Sequence, residues 1–543
     1  MSSTVDAAQI REIRRRRTFA IISHPDAGKT TMTEKLLLYG GAIHLAGSVK
    51  SRKAQRHATS DWMEIEKQRG ISVTSSVMQF EYDGYCINIL DTPGHQDFSE
   101  DTYRTLHAAD AAVMLLDGAR GVEPQTIKLF HVCRMRGIPI FTFINKMDRA
   151  AKPPFDLMDE LEKVLGIESY PMNWPIGIHG DFFGIYDRRQ GEVLRFDSDG
   201  THGRDRVAIE TLGLDDPRLE ELVGDRETVA QLRDDVELLD FAGDDFDHER
   251  VQKGLLTPLF FGSALTNFGV EPFLKAFLEL APPPAARESS EGPVEATDPR
   301  FTGFVFKIQA NMNPEHRDRL AFIRICSGAY ERNMTVRHVR EGREIRLAQP
   351  QQFLAQERHV VEEAYAGDII GVFDPGQFRI GDSLVSGSTD LTFEAIPSFP
   401  PEHFAMVAAS DSMKRKAFIK GIEQLAQEGA VQLYQRPDVG TETYVVGVVG
   451  VLQLDVLEHR LLGEYRVPIR RRALDYRFAR WIRWKEGAER RESDPFVGLN
   501  LTSTTMPVLD RNGDPVLLFE SDWAISWARE RNPGIELLEI NER

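Results

Sequence analysis

Cysteine is scarce in this sequence, and apolar runs are short. The three cysteines, Cys86, Cys133 and Cys326, are scattered over 543 residues without the spacing of a zinc site or a disulfide framework. The longest apolar stretches stop well short of the roughly 20 residues that a membrane-spanning helix needs. The basic cluster Arg14–Arg17 is followed by an apolar run too short for a signal peptide. We therefore expect a cytoplasmic protein with reduced thiols, no zinc and no contact with a membrane.

Basic residues are also in short supply. The chain has 66 lysines and arginines against 84 aspartates and glutamates, which gives a net charge of −18. Nucleic-acid-binding domains usually carry a basic surface, so this balance argues against DNA binding. The acidic excess is concentrated at 201–250, which contains 16 acidic residues and six lysines and arginines. Such a surface is ordinarily only solvated, and docking to a basic protein is the alternative.

What the sequence does contain is a loop typical of phosphate binding. It follows the short apolar run Phe19–Ile22 and leads into a helix-favouring stretch. Gly28 lets the backbone approach the phosphates, and N–H groups at the helix N-terminus supply positive potential. Lys29 would reach the β- and γ-phosphates, and the Thr30 hydroxyl would bind Mg²⁺. Ser23 departs from the usual pattern, which has glycine at this position. The predicted loop consists of Ser23, His24, Pro25, Asp26, Ala27, Gly28, Lys29, Thr30 and Thr31.

A second nucleotide signal follows the apolar strand pattern Cys86–Leu90. A carboxylate at the end of a parallel strand can hold Mg²⁺ through water, as we predict for Asp91. The backbone N–H of Gly94 would face the γ-phosphate and sense its presence. A turn that closes a hairpin is the alternative for an isolated segment of this composition. The segment consists of Asp91, Thr92, Pro93 and Gly94.

A third signal predicts that the base is guanine, and hence that the ligand is GTP. Guanine presents two neighbouring donors, N1–H and the exocyclic amine, and one carboxylate can accept from both, whereas adenine has no such pair. Asp148 would be that carboxylate, Asn145 would brace the loop, and the stem of Lys146 would cover the ring. A later loop would present a backbone N–H to the guanine O6. The two loops consist of Asn145, Lys146, Met147 and Asp148, and of Gly262, Ser263, Ala264 and Leu265.

Motif spacing and composition indicate several domains. The gap before the last nucleotide loop is far longer than one strand and helix require, so we expect an inserted subdomain at about 153–253. A proline-rich, polar stretch at 285–300 predicts a linker after a GTP-binding domain at 1–284. Strand patterns predict a β-barrel at 301–396. Mixed helix and strand patterns predict an α+β domain at 397–543.

The motifs and their order resemble the bacterial class-II peptide chain release factors, translational GTPases related to elongation factor G. The likeness covers nearly the whole chain and weakens towards the C-terminus. It implies an α/β P-loop GTPase domain with an inserted subdomain, followed by a translation-factor β-barrel and a C-terminal α+β domain. The distinctive stretches are Ser23–Thr31, Phe306–Arg319 and Gly450–Asp455.

The resemblance also implies roles for individual residues. His95 matches the family's catalytic histidine, which would orient the attacking water. Ser72 stands at the place of a hydroxyl that binds Mg²⁺, and Thr74 is the alternative because most of the family has threonine at this point. Pro25 and Ile71 match a hydrophobic gate that would hold the histidine back until a partner acts.

The activity that the resemblance implies is ribosome-stimulated GTP hydrolysis in translation termination. After peptide release, the protein would drive the class-I release factor off the ribosome. Its ligands would be GTP, GDP and Mg²⁺, and its partners ribosomal RNA and proteins and the class-I factors, with the protein itself a monomer.

Three other functions are compatible with the nucleotide motifs. The first is an elongation factor G-like GTPase of translocation or ribosome rescue, a family that carries further domains. The second is the GTPase subunit of a sulfate-activating complex, which lacks the acidic insertion and ends in a second barrel. The third is a nucleotide-regulated binding module without turnover, against which the presence of Lys29, Thr30 and His95 argues.

Two basic segments could contact RNA. The segment Arg470–Trp484 mixes arginines with aromatic residues, as RNA-facing surfaces often do, although we favour a strand with a solvated basic face. His316, Arg317 and Arg319 are the second candidate, with a salt bridge in a turn as the alternative.

Overall fold

The computed structural model describes most of the chain. The described residues are 6–41, 76–93, 95, 97, 99–177, 182–196, 209–242, 245–310, 319–347, 350–354, 357–396, 399–438, 443–485 and 494–539. Several predicted residues lie outside them, namely Ile71, Ser72, Thr74, Gly94, His316 and Arg317. Within these ranges, no helix combines the length and the apolar character that crossing a bilayer requires.

The N-terminal part of the chain alternates strands with helices up to residue 280. Its elements are α1 (Ala7–Arg14), β1 (Arg16–Ser23), α2 (Lys29–Tyr39), β2 (Ser76–Tyr82), β3 (Tyr85–Asp91), α3 (Ser99–Ala108), β4 (Ala111–Asp117), α4 (Pro124–Met135), β5 (Ile140–Asn145), α5 (Pro154–Leu165), β6 (Glu168–Pro171), β7 (Asn173–Ile176), β8 (Gly184–Asp187), β9 (Glu192–Phe196), β10 (Ile209–Gly213), α6 (Arg218–Val223), α7 (Arg226–Ala242), α8 (His248–Gln252), β11 (Leu256–Phe261) and α9 (Val270–Leu280).

Seven of these strands form one sheet in the order β2-β3-β1-β4-β5-β11-β6. All neighbours are parallel except β2, which runs antiparallel to β3 at one edge. Along β4, Val113 and Leu115 pack into one hydrophobic core and Met114 and Leu116 into another, so the sheet is covered on both faces. The loops after β1, β3, β5 and β11 lie together at the carboxyl edge of the sheet, where folds of this kind bind ligands.

The region 153–253 contributes to two sheets. Its first strand, β6, pairs in parallel with β11 and therefore belongs to the main sheet. The following strands β7 to β10 form a separate antiparallel sheet that begins at Asn173. Trp174 connects this antiparallel sheet to α7 and to the main sheet. Its indole N–H donates to Asp235 of α7 at 2.9 Å, and its ring packs against Phe261 of β11.

The second domain is the β-barrel that the sequence predicts. Eight strands lie in the order β16-β15-β21-β12-β13-β20-β17-β18, and β14 pairs with β19. Every residue of the two long strands β12 and β13 is buried, which makes them the centre of the barrel core. The strands are β12 (Thr302–Ala310), β13 (Arg319–Ser327), β14 (Ala329–Glu331), β15 (Thr335–His338), β16 (Arg343–Arg346), β17 (Gln351–Leu354), β18 (Glu357–Val360), β19 (Glu363–Tyr365), β20 (Ile369–Phe373) and β21 (Ser383–Val385).

The C-terminal domain places helices on an eight-stranded antiparallel sheet, which confirms the predicted α+β class. The strand order is β25-β22-β24-β23-β27-β28-β26-β29. Arg470–Arg472 are exposed on β25, whereas Trp481 of β26 is buried and donates to Asp510, so the aromatic part of the basic segment contributes to the core. The elements are β22 (His403–Ala409), a short 3-10 turn (Ser412–Lys414), α10 (Arg415–Gln427), β23 (Gln432–Gln435), β24 (Thr443–Val448), α11 (Leu452–Tyr465), β25 (Ile469–Leu474), β26 (Phe478–Trp484), β27 (Thr505–Asp510), β28 (Pro515–Phe519), α12 (Asp522–Arg531) and β29 (Ile535–Leu538).

Candidate nucleotide site

The predicted phosphate-binding loop lies between the end of β1 and the start of α2. Gly28 directly precedes the helix and has a φ of 101°, a backbone conformation that strongly favours glycine. A Cβ atom at this position would fall 2.2 Å from Nδ2 of Asn145. Because α2 begins at Lys29, the first N–H groups of the helix point into the loop. Both conformation and packing therefore require the glycine.

Lys29 and Asp91 meet below this loop. Nζ of Lys29 is in contact with Oδ1 of Asp91, and the two side chains are only 6% and 2% exposed. Thr30, the second residue of α2, is half-buried beside them. A carboxylate and a hydroxyl next to a lysine are the groups that Mg²⁺ and a polyphosphate bind, so the residues present fit a magnesium–nucleotide complex.

The beginning of the loop carries buried polar atoms that lack partners. Oγ of Ser23 and Nδ1 of His24 are buried and make no hydrogen bond within the described part of the chain. The other ring nitrogen of His24 lies 3.5 Å from Oε1 of Glu123. Leaving buried polar atoms unsatisfied is unfavourable, so this end of the loop is suited to a polar ligand.

Asn145, the last residue of β5, connects two nucleotide loops. Its Nδ2 donates to the Ala27 carbonyl at 2.8 Å, and its Oδ1 accepts from the Ala264 N–H at 2.8 Å. Asn145 thus bonds to the phosphate loop and to the last loop at the same time. Lys146, which has a φ of 68°, donates through Nζ to the Asp26 carbonyl at 2.5 Å. The phosphate loop and the predicted guanine loop are therefore one connected structure.

The predicted guanine-binding carboxylate is held by the last loop. Oδ1 of Asp148 accepts from Oγ of Ser263 at 2.6 Å, and its Oδ2 lies 3.7 Å from Nε of Arg149. Next to Ser263, Ala264 is fully buried, whereas Leu265 is exposed. The carboxylate is therefore fixed in orientation by a hydroxyl from a different loop. The neighbouring Met147 is buried below the guanine loop.

Sequence reasoning missed Asp117, which belongs to this site. Its Oδ2 accepts from Nζ of Lys146 at 2.7 Å. Burial alone would raise the pKa of the Asp117 carboxyl, but the Lys146 ammonium and the Ala119 N–H hold that pKa below its usual value. Asp117 ends the apolar strand β4 as Asp91 ends β3, so the same sequence signal could have identified it.

His95 lies just beyond the second motif and contacts Asp97. Nδ1 of His95 accepts the backbone N–H of Asp97 at 3.3 Å and lies 3.3 Å from Oδ1 of the same residue. The motif itself is anchored to β1, because Oγ1 of Thr92 donates to the Ile21 carbonyl at 2.7 Å. Pro93 is buried, and its carbonyl accepts from Oγ1 of Thr102 in α3. The residues that precede His95 are therefore anchored to β1 and to α3.

This site and fold define a GTPase of the translation-factor type. Three protein-family models match the chain in succession. They are Elongation factor Tu GTP binding domain at 14–283, Elongation factor G domain 2 at 300–387, and Class II release factor RF3, C-terminal domain, at 393–529.

Curated relatives of nearly equal length show which family of translational GTPases the chain belongs to. The chain is 60% identical to peptide chain release factor 3 of Symbiobacterium thermophilum over 96% of this chain and 97% of that protein. It is 55% identical to peptide chain release factor 3 of Listeria monocytogenes over 98% and 99% of the two chains, and 52% identical to that of a Cyanothece species over 99% and 97%. The chain belongs to the class-II release factor family, the GTPases of translation termination.

A solved structure of a Thermus thermophilus protein agrees with the overall fold. It superposes with a TM-score of 0.68 at 22% sequence identity and covers 87% of this chain and 71% of the other.

Proposed function

We propose that the protein binds GTP with Mg²⁺, engages the ribosome in the cytoplasm as a monomer, and uses hydrolysis to drive class-I release factors off the ribosome after peptide release. The main support is Asn145, which bonds the phosphate loop at Ala27 and the last loop at Ala264 in one site. The match of residues 393–529 to the C-terminal domain of class-II release factors supports the step in termination.

In the proposed mechanism, base and phosphates are held by different loops. Asp148 accepts both guanine donors while Ser263 fixes its orientation, and the stem of Lys146 covers the ring. Lys29 leaves Asp91 for the β- and γ-phosphates when the nucleotide binds. The N–H groups at the start of α2 bind the remaining phosphate oxygens.

The hydrolytic step requires a positioned water molecule. His95 orients that water for attack on the γ-phosphate, and Gly94 senses loss of the phosphate. When bound, Mg²⁺ would neutralise charge on the phosphate oxygens. Its ligands would be Thr30, Ser72 and, through water, Asp91. Since phosphoryl transfer passes through a loose transition state, this positioning and electrostatic stabilisation account for most of the catalysis.

A dissociation assay tests the function. A labelled class-I release factor is bound to ribosomes that have released their peptide, and its departure is followed with this protein and GTP or GDP. We expect fast, GTP-dependent dissociation and a large loss of GTP hydrolysis in His95→Ala, with GTP affinity retained. If the factor stays bound while GTP is hydrolysed, the proposed task is wrong. If His95→Ala hydrolyses GTP at the normal rate, the role of His95 is wrong.

A further inference from the structure

Helix α11 of the C-terminal domain begins without a cap of its own. The residue before it is Val451, whose side chain has no acceptor for the unpaired N–H groups of the first turn. The Leu452 N–H donates instead to Oδ2 of Asp97 at 2.7 Å. Asp97 belongs to the GTPase domain and lies 355 residues earlier in the chain. One domain therefore caps a helix of the other with a carboxylate, which also interacts favourably with the helix dipole.

The same aspartate holds the proposed catalytic histidine. Its Oδ1 and its backbone N–H both lie 3.3 Å from Nδ1 of His95. The Asp97 side chain is 12% exposed, so both contacts are partly shielded from water. His95, Asp97 and the N-terminus of α11 thus form a continuous chain of contacts.

Gly450 makes this close approach possible. A Cβ atom there would fall 2.0 Å from Cγ and 2.4 Å from Cβ of Asp97, far inside contact distance. Nearby, Oε1 of Gln453 accepts the N–H groups of Val449 and Gly450, which fixes the turn before the helix. The Gly450–Asp455 stretch, one of the three stretches that carry the family resemblance, therefore forms the binding site for the Asp97 side chain.

Helix α3 starts two residues after Asp97, and two further contacts hold this helix to the C-terminal domain. Nη1 of Arg104 donates to the Gly429 carbonyl at 3.2 Å. The rings of Tyr103 and Phe399 pack edge to face with centroids 5.4 Å apart. A movement of the C-terminal domain would consequently be transmitted to the segment that carries His95.

We propose that Asp97 is a positioning residue, which places His95 according to the position of helix α11 and so couples hydrolysis to the C-terminal domain. The inference rests on the proposed role of His95. It assigns to Gly450 and the start of α11 a function in hydrolysis, although they belong to a different domain from the nucleotide site.

The test compares variants on the two sides of the contact. Asp97→Ala removes the cap of Leu452 and the carboxylate beside Nδ1 of His95, and Gly450→Ala displaces the Asp97 side chain while both His95 and Asp97 are kept. Each variant should lower the kcat of ribosome-stimulated GTP hydrolysis about 10- to 100-fold, because small misplacements of a catalytic group have effects of this size. GTP affinity, measured without ribosomes, should stay unchanged. The double variant should be no slower than the slower single variant, since both changes break one contact.

Two matched variants complete the design. Asp97→Asn keeps an oxygen that can cap Leu452, so it should recover much of the activity that Asp97→Ala loses. Gly463→Ala lies in the same helix, where an added Cβ meets no atom within 4 Å, and should hydrolyse GTP normally.

The outcomes separate this inference from the role of His95. A normal kcat in Gly450→Ala, or effects of the two single variants that multiply in the double variant, would overturn the coupling. If His95→Ala is slow while Asp97→Ala and Gly450→Ala are normal, only the coupling is wrong. If His95→Ala is itself normal, the proposed catalytic role is wrong.

Discussion

Guanine selectivity depends on the single carboxylate of Asp148. In Asp148→Asn one oxygen is replaced by an NH₂ group, which faces a guanine donor instead of accepting from it. We expect GTP affinity to fall at least about 100-fold, because a site built around a hydrogen-bonding pair strongly rejects a mismatch. Titration with a fluorescent guanine nucleotide measures the change.

Ser263→Ala is the control for this variant. It removes the 2.6 Å bond that orients Asp148 but leaves both carboxylate oxygens in place. A clearly smaller loss of GTP affinity is expected, because both acceptors for the guanine donors remain. Equal losses in the two variants would mean that Asp148 acts only through loop structure.

Local sequence predicted the residue types of the site but not the bonds between distant residues. Each nucleotide motif follows an apolar strand, and this position predicts a role in nucleotide binding for Lys29, Asp91 and Asp148. The cap of Leu452 by Asp97 joins residues 355 positions apart, and no local pattern indicates it. Asp117 differs from this case, because it ends an apolar strand as Asp91 does and local sequence is sufficient to indicate it.

The last turn of helix α3 contains a histidine, His107, that is buried against the barrel. The His107 ring packs edge to face on Phe304 at 5.4 Å. Burial, followed by the nearby charges of Arg136 and Arg287, lowers the pKa of His107 to about 3. The ring is therefore neutral in the folded protein at neutral pH and in mild acid.

This pKa predicts sensitivity to acid. In the unfolded chain the histidine titrates near 6.5, so below that pH the unfolded state binds a proton that the folded state does not. Stability consequently falls as the pH drops from about 6.5 towards 3, and this group alone should remove about 2 kcal/mol by pH 5. His107→Phe keeps an aromatic ring without a titrating group. We expect a smaller decrease in melting temperature between pH 7.5 and pH 5 than in the unmodified protein.

An exposed histidine serves as the comparison. His131 lies on the surface of α4, and His131→Phe should keep the original pH dependence. If His107→Phe and the unmodified protein lose the same amount of stability between the two pH values, the acid sensitivity has another source.

Some strands can be predicted from apolar runs, since a buried strand needs only a short stretch of apolar or β-branched residues. Phe19–Ile22 lies within β1, and Cys86–Leu90 lies within β3. The short strand β6 was not predicted, because its sequence is polar and its place in the main sheet comes from pairing with β11. Which strand β6 pairs with depends on the whole fold and cannot be read from the sequence of β6 alone.

The GTPase domain and the barrel are joined by buried ion pairs. Asp368 of the barrel is fully buried and accepts from Nε of Arg16 at 2.7 Å and from Nε2 of Gln79 at 2.9 Å. Arg324 of β13 pairs with Asp110 of the GTPase domain, and both side chains are 1% exposed. Charges removed from water need their partners, so these pairs fix how the two domains are placed.

Removing one carboxylate from a buried ion pair should destabilise the protein more than removing one from an exposed pair. Asp368→Asn removes the buried carboxylate from Nε of Arg16, which keeps only the partly exposed carboxylate of Glu12, 3.0 Å from its Nη1, and breaking a buried pair in this way costs about 3–5 kcal/mol. The matched change Asp390→Asn breaks the 2.6 Å pair with Arg337, but Asp390 is 66% exposed, and such pairs contribute about 0–1 kcal/mol. Denaturant unfolding should therefore show a clear shift of the first transition for Asp368→Asn and almost none for Asp390→Asn. Equal shifts would show that the apolar contacts, and not the buried pair, hold the two domains together.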